Sequence, residues 1–294
     1  MRKTIVAIGE ALWDVFPDRR RPGGAPCNVA FHAAQLGNRS AIVTRVGVDA
    51  AGDDLVAFLR ARGVDTGLVQ RDAARPTGTV AVTLAGGEPR YTITEGVAWD
   101  YLAPDEAARA LVRTADAVCV GSLAQRSAAS RATIRQLLEA AKGQALVVFD
   151  ANLRLPFVDS NVIAATCRRA DVVKLSEEEV DRLAALLARP APLEWLLGEA
   201  GVTAVCVTRG KDGASLTTRQ GTVSAPGVDL DTSAGDAVGA GDAFTAALVH
   251  RLVRNATRED ALQTANRYAA LVASRQGAMP ELSAEDLAGT GLAD

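Results

Sequence analysis

In the segment Asp236-Ala237-Val238-Gly239-Ala240-Gly241-Asp242-Ala243-Phe244, small residues and a carboxylate stand where a loop runs into the apolar stretch from Thr245 to Leu252. A helix starting there exposes unpaired backbone N–H groups and the positive end of its dipole, and small residues let an anion reach those amides. Phosphate suits such a cradle. A carboxylate beside a bound anion is out of place unless it takes a proton from a hydroxyl that then attacks the phosphorus. The pattern therefore predicts phosphoryl transfer. A lone GxGD also occurs where glycines merely let a turn pack closely, so a second element has to support it.

Gly23-Gly24-Ala25-Pro26-Cys27-Asn28-Val29-Ala30 is that element, another glycine-rich turn feeding a helix, with Gly37 and Gly47 further on. Together the two segments resemble the paired signatures of the ribokinase-like (PfkB) sugar kinases, the first from Gly23 to Gly47 and the second from Asp236 to about Val249. Between and before them, Gly9-Glu10-Ala11-Leu12-Trp13-Asp14, Asp150-Ala151-Asn152-Leu153-Arg154 and Lys174-Leu175-Ser176-Glu177-Glu178-Glu179 are similar to the fructokinase-type branch. Kinases of 2-keto-3-deoxygluconate and of other sugars or nucleosides share much of this wording. The resemblance spans nearly the whole chain. It implies one ribokinase-like kinase domain over 1–294, with a small β-sheet lid from segments near 12–22 and 78–98, and transfer of the γ-phosphate of ATP to a sugar, fructose or a similar ketose first.

Carried onto this chain, the resemblance makes Asp242 the general base and the amides of Gly239, Ala240 and Gly241 the anion cradle. Asp14 and Asn28 are the sugar-binding side chains, with Gly24 allowing close approach. Without the resemblance, Asn28 reads as a helix cap. Asn152 and Arg154 are further substrate residues, although an exposed loop arginine reads equally well. Thr208, Gly210, Lys211, Gly213 and Asn266 border ATP, while a plain strand-to-hairpin turn explains those glycines too. The family's Asn-x-x-Glu motif falls on Ser176–Glu179, with Ser176 replacing Asn and Glu179 acting on Mg2+ through water. Acidic residues also favour a helix start by themselves. Asp236 marks a candidate monovalent-cation loop for K+, in which Ala237 replaces the family's usual hydroxyl residue. A competing register over Asp231–Asp236 is one residue short and has no long apolar helix directly after it.

The remaining composition excludes other classes. The 294 residues are 48% hydrophobic and 23% charged with a net charge of −3, which describes a globular chain without a basic footprint for nucleic acid. The longest basic run, Arg19-Arg20-Arg21, reads as a solvated loop. Cys27, Cys119, Cys167 and Cys206 are scattered without CxxC and read as buried free thiols of a reducing compartment. No apolar run reaches membrane length, and the expected location is cytoplasmic. GxxxxGK[ST] is absent, Gly9-Glu10-Ala11 does not supply a dinucleotide fingerprint, and no GxSxG elbow accompanies His32 or His250, which read as ordinary helix residues. A sugar-binding protein that has lost transfer is the rival from another class, motivated by Ala237 and Ser176.

To hold these groups together, the chain needs strands that end beside one another. Thr4–Ile8, Ala41–Val46, Ala117–Val120, Ala145–Phe149, Asp171–Leu175 and Ala204–Val207 are apolar without alternation, as in parallel strands buried on both faces. Val29–Leu36, Asp53–Arg62, Ser127–Ala141, Val158–Arg168, Glu177–Leu187, Pro192–Glu199, Asp242–Leu252 and Arg258–Ser274 read as helices. The expected fold is α/β, a doubly wound, mostly parallel sheet. Thr79–Leu84 and Arg90–Thr94 alternate instead, predicting a hairpin with one covered face. A two-fold dimer through such sheets is left open.

Overall fold

The computed structural model describes residues 2–85 and 88–291, so the Gly86-Gly87 tip of the predicted hairpin lies outside the described residues. The strands in chain order are β1 (Thr4–Ile8), β2 (Leu12–Val15), β3 (Arg20–Gly23), β4 (Arg39–Gly47), β5 (Val64–Asp65), β6 (Val69–Asp72), β7 (Gly78–Ala85), β8 (Glu88–Ile93), β9 (Ala117–Val120), β10 (Leu146–Asp150), β11 (Val172–Ser176), β12 (Ala204–Thr208), β13 (Ala214–Thr218) and β14 (Gly221–Ala225). The main sheet is ordered β14-β13-β12-β11-β10-β9-β1-β4-β5, with β6 also on β4. It is parallel except for β13 and β14, which close its edge as antiparallel strands.

The unbroken apolar runs have a direct explanation. Alternate residues of each strand point to opposite faces, and both faces are covered. Ile5, Ala7, Ile42, Cys119 and Val148 pack with α1 (Ala25–Gln35), α2 (Ala50–Ala61), α8 (Ala240–Leu252) and α9 (Arg258–Ala273). Their neighbours Val6, Ile8, Val43, Val118 and Val147 pack with α3 (Glu106–Thr114), α4 (Ala128–Ala141), α5 (Ser160–Cys167), α6 (Glu177–Leu187) and α7 (Pro192–Leu197). A short α10 (Ala284–Ala288) follows. All four cysteines are buried free thiols, and burial pushes each of them up. Among the described residues no helix is long and apolar enough to cross a membrane.

A separate four-stranded sheet, β3-β2-β7-β8, grows from the segment after β1. Val80 and Val82 are buried in it while Ala81 and Thr83 are exposed, which is the one-sided pattern the alternation predicted. Of the run Arg19–Arg21, only Arg19 stays in an exposed loop. Arg20 and Arg21 begin strand β3; Arg20 lies over the Trp13 ring at 4.4 Å and pairs with Asp54, and Arg21 pairs with Asp236. The ion-pair partners come from distant sequence, and Trp13 meets Arg20 only once β2 and β3 pair, so local polarity could not report them. α1 also starts earlier than predicted, at Ala25, because Pro26 fits the first turn of a helix where its missing N–H costs nothing.

Candidate active site

β1 lies between β4 and β9, so the chain leaves it first to one side and later to the other, and a crevice opens at the carboxyl ends of these strands. There a cleft of about 770 Å³ is lined by Glu10, Asp14, Asn28, Asn152, Arg154 and Asp242, with Val80, Tyr91 and Ile93 of the smaller sheet forming a wall. Asp14 comes from β2, directly opposite Arg21 of β3. A β-carbon on Gly23 would sit 2.6 Å from Asp14 Oδ2, so glycine is needed to leave the carboxylate its place. Asn28 is on α1, and its Nδ2 donates to Asp242 Oδ2 at 2.7 Å. This one bond joins the two signature segments.

Asp242 stands in the first turn of α8. Gly239 caps that helix with φ 77°, and a β-carbon there would lie 2.6 Å from Ala278 Cα. Ala278 is itself fixed by His32. Burial pushes the His32 imidazole down to about 4, so the neutral ring donates from Nε2 to the Ala278 carbonyl and accepts at Nδ1 from the Tyr268 hydroxyl, each at 2.9 Å. Among the described residues, the N–H groups of Gly239, Gly241 and Asp242 meet no acceptor. Ala240 differs from its predicted part in the cradle. Its N–H turns back to the Ala237 carbonyl at 3.3 Å, closing the turn in which Ala237 itself takes a left-handed φ of 53°.

Beneath this helix start lies a buried ion pair. Asp150 and Lys174 are register partners on β10 and β11, and Lys174 Nζ reaches the two Asp150 oxygens at 3.1 and 3.2 Å. Thr245 of α8 donates to Asp150 Oδ2 at 2.6 Å. The ammonium lies so near Gly241 that a β-carbon there would be 3.2 Å from Nζ, placing a positive charge under the open amides. Burial alone would lower Lys174, but Asp150, Asp242 and Glu179 outweigh it and raise it.

Three carboxyls of the cleft are pushed upward. Burial, reinforced by the nearby Asp150 charge, raises Asp242 to about 7 against the pull of Asn28, Lys174 and Arg154. Burial and the Asp242 charge bring Glu10 to about 7, and among the described residues Glu10 Oε2 meets no hydrogen-bond partner. Burial raises Asp14 to about 6 although Arg154 and Arg21 oppose it. Such displaced carboxyls in one cleft are what acid–base chemistry near neutral pH requires.

The other sequence-predicted residues divide between the cleft and its frame. Gly24, Asn152 and Arg154 line the cleft, and Asn152 takes a left-handed φ of 38°. Glu179 completes a capping box with Ser176: its Oε2 accepts the Ser176 N–H at 2.8 Å and its Oε1 the Leu153 N–H at 2.6 Å. Asp236 is held by Arg21, Val238 and Gly277. Thr208 ends β12 beside Ser176 of β11, and Gly210, Lys211 and Gly213 form the turn into β13. Asn266 is buried on α9, where its Nδ2 donates to the Ala225 and Pro226 carbonyls at 3.3 and 2.9 Å. It braces the end of β14.

Sequence reasoning assigned no part to Glu10, Asp150, Lys174, Thr245 or Arg21. A signal for two of them exists, since Lys174 is a charge inside an otherwise apolar strand run and Asp150 one at the end of another, and such charges stay buried only when paired.

Comparison with known proteins shows the family of the chain. The family described as pfkB family carbohydrate kinase matches residues 8–285. Fructokinase-1 of Oryza sativa subsp. japonica is 32% identical over 308 residues, covering 96% of this chain and 95% of the rice protein. Among solved structures, fructokinase with bound ATP from Xylella fastidiosa superposes with a TM-score of 0.89 at 25% identity, covering 99% of this chain and 98% of that one. A fructokinase double mutant from Vibrio cholerae O395 in its fructose, ADP and potassium ion bound form gives a TM-score of 0.83 at 26% identity over 98% of each chain.

Proposed function

Because the chain belongs to the pfkB family of carbohydrate kinases, we propose that its cleft transfers the γ-phosphate of ATP to a hydroxyl of fructose or a similar ketose, with Asp242 as the base. One observation carries the reading: a carboxyl raised to about 7 stands in the first turn of a helix whose neighbouring amides are open. The sugar lies between Asp14, Asn28 and the wall of the smaller sheet. Asp242 takes the proton of the attacking hydroxyl, the sugar oxygen forms its bond to phosphorus, and the bond to the ADP oxygen breaks. The amides of Gly239, Gly241 and Asp242, backed by Lys174, receive the charge that gathers on the transferred group. The smaller sheet closes over the sugar as a lid and keeps water away.

Among the described residues no group of three or more His, Cys, Asp or Glu side chains is placed to hold a metal. This fits magnesium, which keeps several waters and is carried mainly by nucleotide phosphates, where it neutralises their charge. Glu179 spends one lone pair of each oxygen on a backbone amide and retains others for a water of the ion. The turn from Thr208 to Gly213, one strand over from Lys174, borders the nucleotide. Arg154 makes no ion pair among the described residues, which favours a sugar acid such as 2-keto-3-deoxygluconate as a second reading.

The deciding experiment measures kcat/KM with ATP and magnesium on fructose, 2-keto-3-deoxygluconate, ribose and nucleosides. Fructose is expected to give the highest value. Sugar binding by thermal shift with no turnover on any of them would sink the kinase reading in favour of a binding protein.

The pH dependence follows from the base. Asp242 must be ionised to accept a proton and is raised to about 7, so kcat/KM should climb about tenfold per pH unit below that value and level off above it. A profile flat from mildly acidic to mildly alkaline pH would contradict the assignment.

A further inference from the structure

At the loop leading into α8, Asp236 marks the candidate site for a monovalent cation, and the Vibrio cholerae fructokinase was solved with potassium. In this chain the Asp236 carboxylate is surrounded by donors instead. The Gly277 N–H lies 3.0 Å from both oxygens, the Val238 N–H lies 3.2 Å from Oδ1, and Arg21 Nη1 lies 2.7 Å from Oδ2. The same guanidinium donates from Nη2 to Gln276 Oε1 at 3.0 Å, and Gln276 Nε2 donates in turn to the Ala234 carbonyl at 2.9 Å. Arg21 and Asp236 are 26% and 28% exposed, so the pair is shielded from bulk water on most sides. A bare cation needs oxygen lone pairs converging on one point. Here the two side-chain oxygens that face such a point, Asp236 Oδ2 and Gln276 Oε1, are already met by the Arg21 guanidinium, a permanent positive charge.

We infer that Arg21 takes the place of the monovalent cation at this loop, so that the anion cradle is held in shape without potassium. The role given to the loop rests on the kinase reading, whereas the contact itself does not. The guanidinium neutralises Asp236, Asp236 holds the Val238 and Gly277 amides, and these flank Gly239 and Ala278 at the start of α8. Arg21 is thus a positioning residue acting through Asp236. Because Arg21 sits on β3 opposite Asp14, the charge that shapes the cradle is carried by the same sheet that walls the sugar cleft. A soluble ion would be independent of that sheet.

The test is thermal melting of the full chain, without ATP or sugar, in potassium, sodium or choline chloride at equal ionic strength. The wild type is expected to melt at one temperature in all three. Arg21→Ala should acquire a potassium-specific rise of about 3 °C, the size expected for an ion present at roughly tenfold its dissociation constant. Arg21→Gln, which keeps the side-chain bulk, provides the same test if the alanine variant folds poorly. In turnover, potassium should not activate the wild type but should restore activity to the Arg21 variants. Potassium-specific stabilisation or activation of the wild type overturns the inference, and so does an Arg21 variant that ignores potassium. Since melting requires no substrate, a failed sugar panel would leave this result standing.

Discussion

Asp242→Asn is expected to lower kcat on the accepted sugar by about 10²–10⁴-fold, the usual contribution of a positioned general base, and at the same time to raise the melting temperature at alkaline pH. The second effect follows from the sign of the shift. Asp242 is raised from 3.8 to about 7, by burial first and by the Asp150 charge next. The folded chain therefore retains a proton where the unfolded chain has lost it. Stability from this group is complete below the unfolded value and is lost as pH rises through about 7. Above that point the wild type buries an ionised carboxylate beside Asp150, whereas asparagine carries no charge and still pairs with Asn28. The gain in melting temperature should therefore grow between about pH 4 and 7, hold its full size above neutrality and vanish only below the unfolded value. Turnover near the wild-type rate with sugar binding intact would remove Asp242 as the base, and a pH-independent gain would remove the electrostatic account.

Lys174→Met should be the most destabilising single change in the cleft. It leaves Asp150 buried with, among the described residues, only the Thr245 hydroxyl as a side-chain partner, and breaking a buried pair from one side costs about 3–5 kcal/mol. For a chain of this size that corresponds to a drop of roughly 10 °C in melting temperature. Asp150→Asn added to Lys174→Met removes the stranded charge and should recover most of the loss, because the two effects belong to one interaction. Equal melting of the single and double variants would mean that the pair does not hold β10, β11 and α8 together.

The legible part of the molecule was the part with short-range causes. Strands β1, β9 and β12 and helix α6 could be read within a residue or so, because continuous apolar runs and a cluster of acidic residues at a helix start act through neighbours in sequence. The Asp242 and Asn28 segments were legible as motifs, and the fold brings them within 2.7 Å. What stayed hidden depends on pairing across the sheet or between layers. Lys174 meets Asp150 only because β10 and β11 are neighbours in register, and Arg21 finds Asp236 across 215 positions. β13 and β14 escaped notice because their polar faces resemble a loop until an adjoining strand supplies the ladder. Glu179 illustrates the reverse case, in which one carboxylate meets both the capping pattern and the metal motif, and sequence alone cannot rank the two.

His32 and Ala278 meet across 246 positions, and Ala278 abuts Gly239. The arrangement has a kinetic consequence for a chain made from one end. Strands, crossover helices and most of the apolar interior can form from early segments, but the glycine turn before α8 receives its backing only when residues near 278 have left the ribosome. Non-local closures of this kind come late because the chain must lose the entropy of a very long loop. A nascent polypeptide would therefore pass through a stage that is well packed yet chemically silent, and competence would arrive in one step once the segment around Ala278 docks.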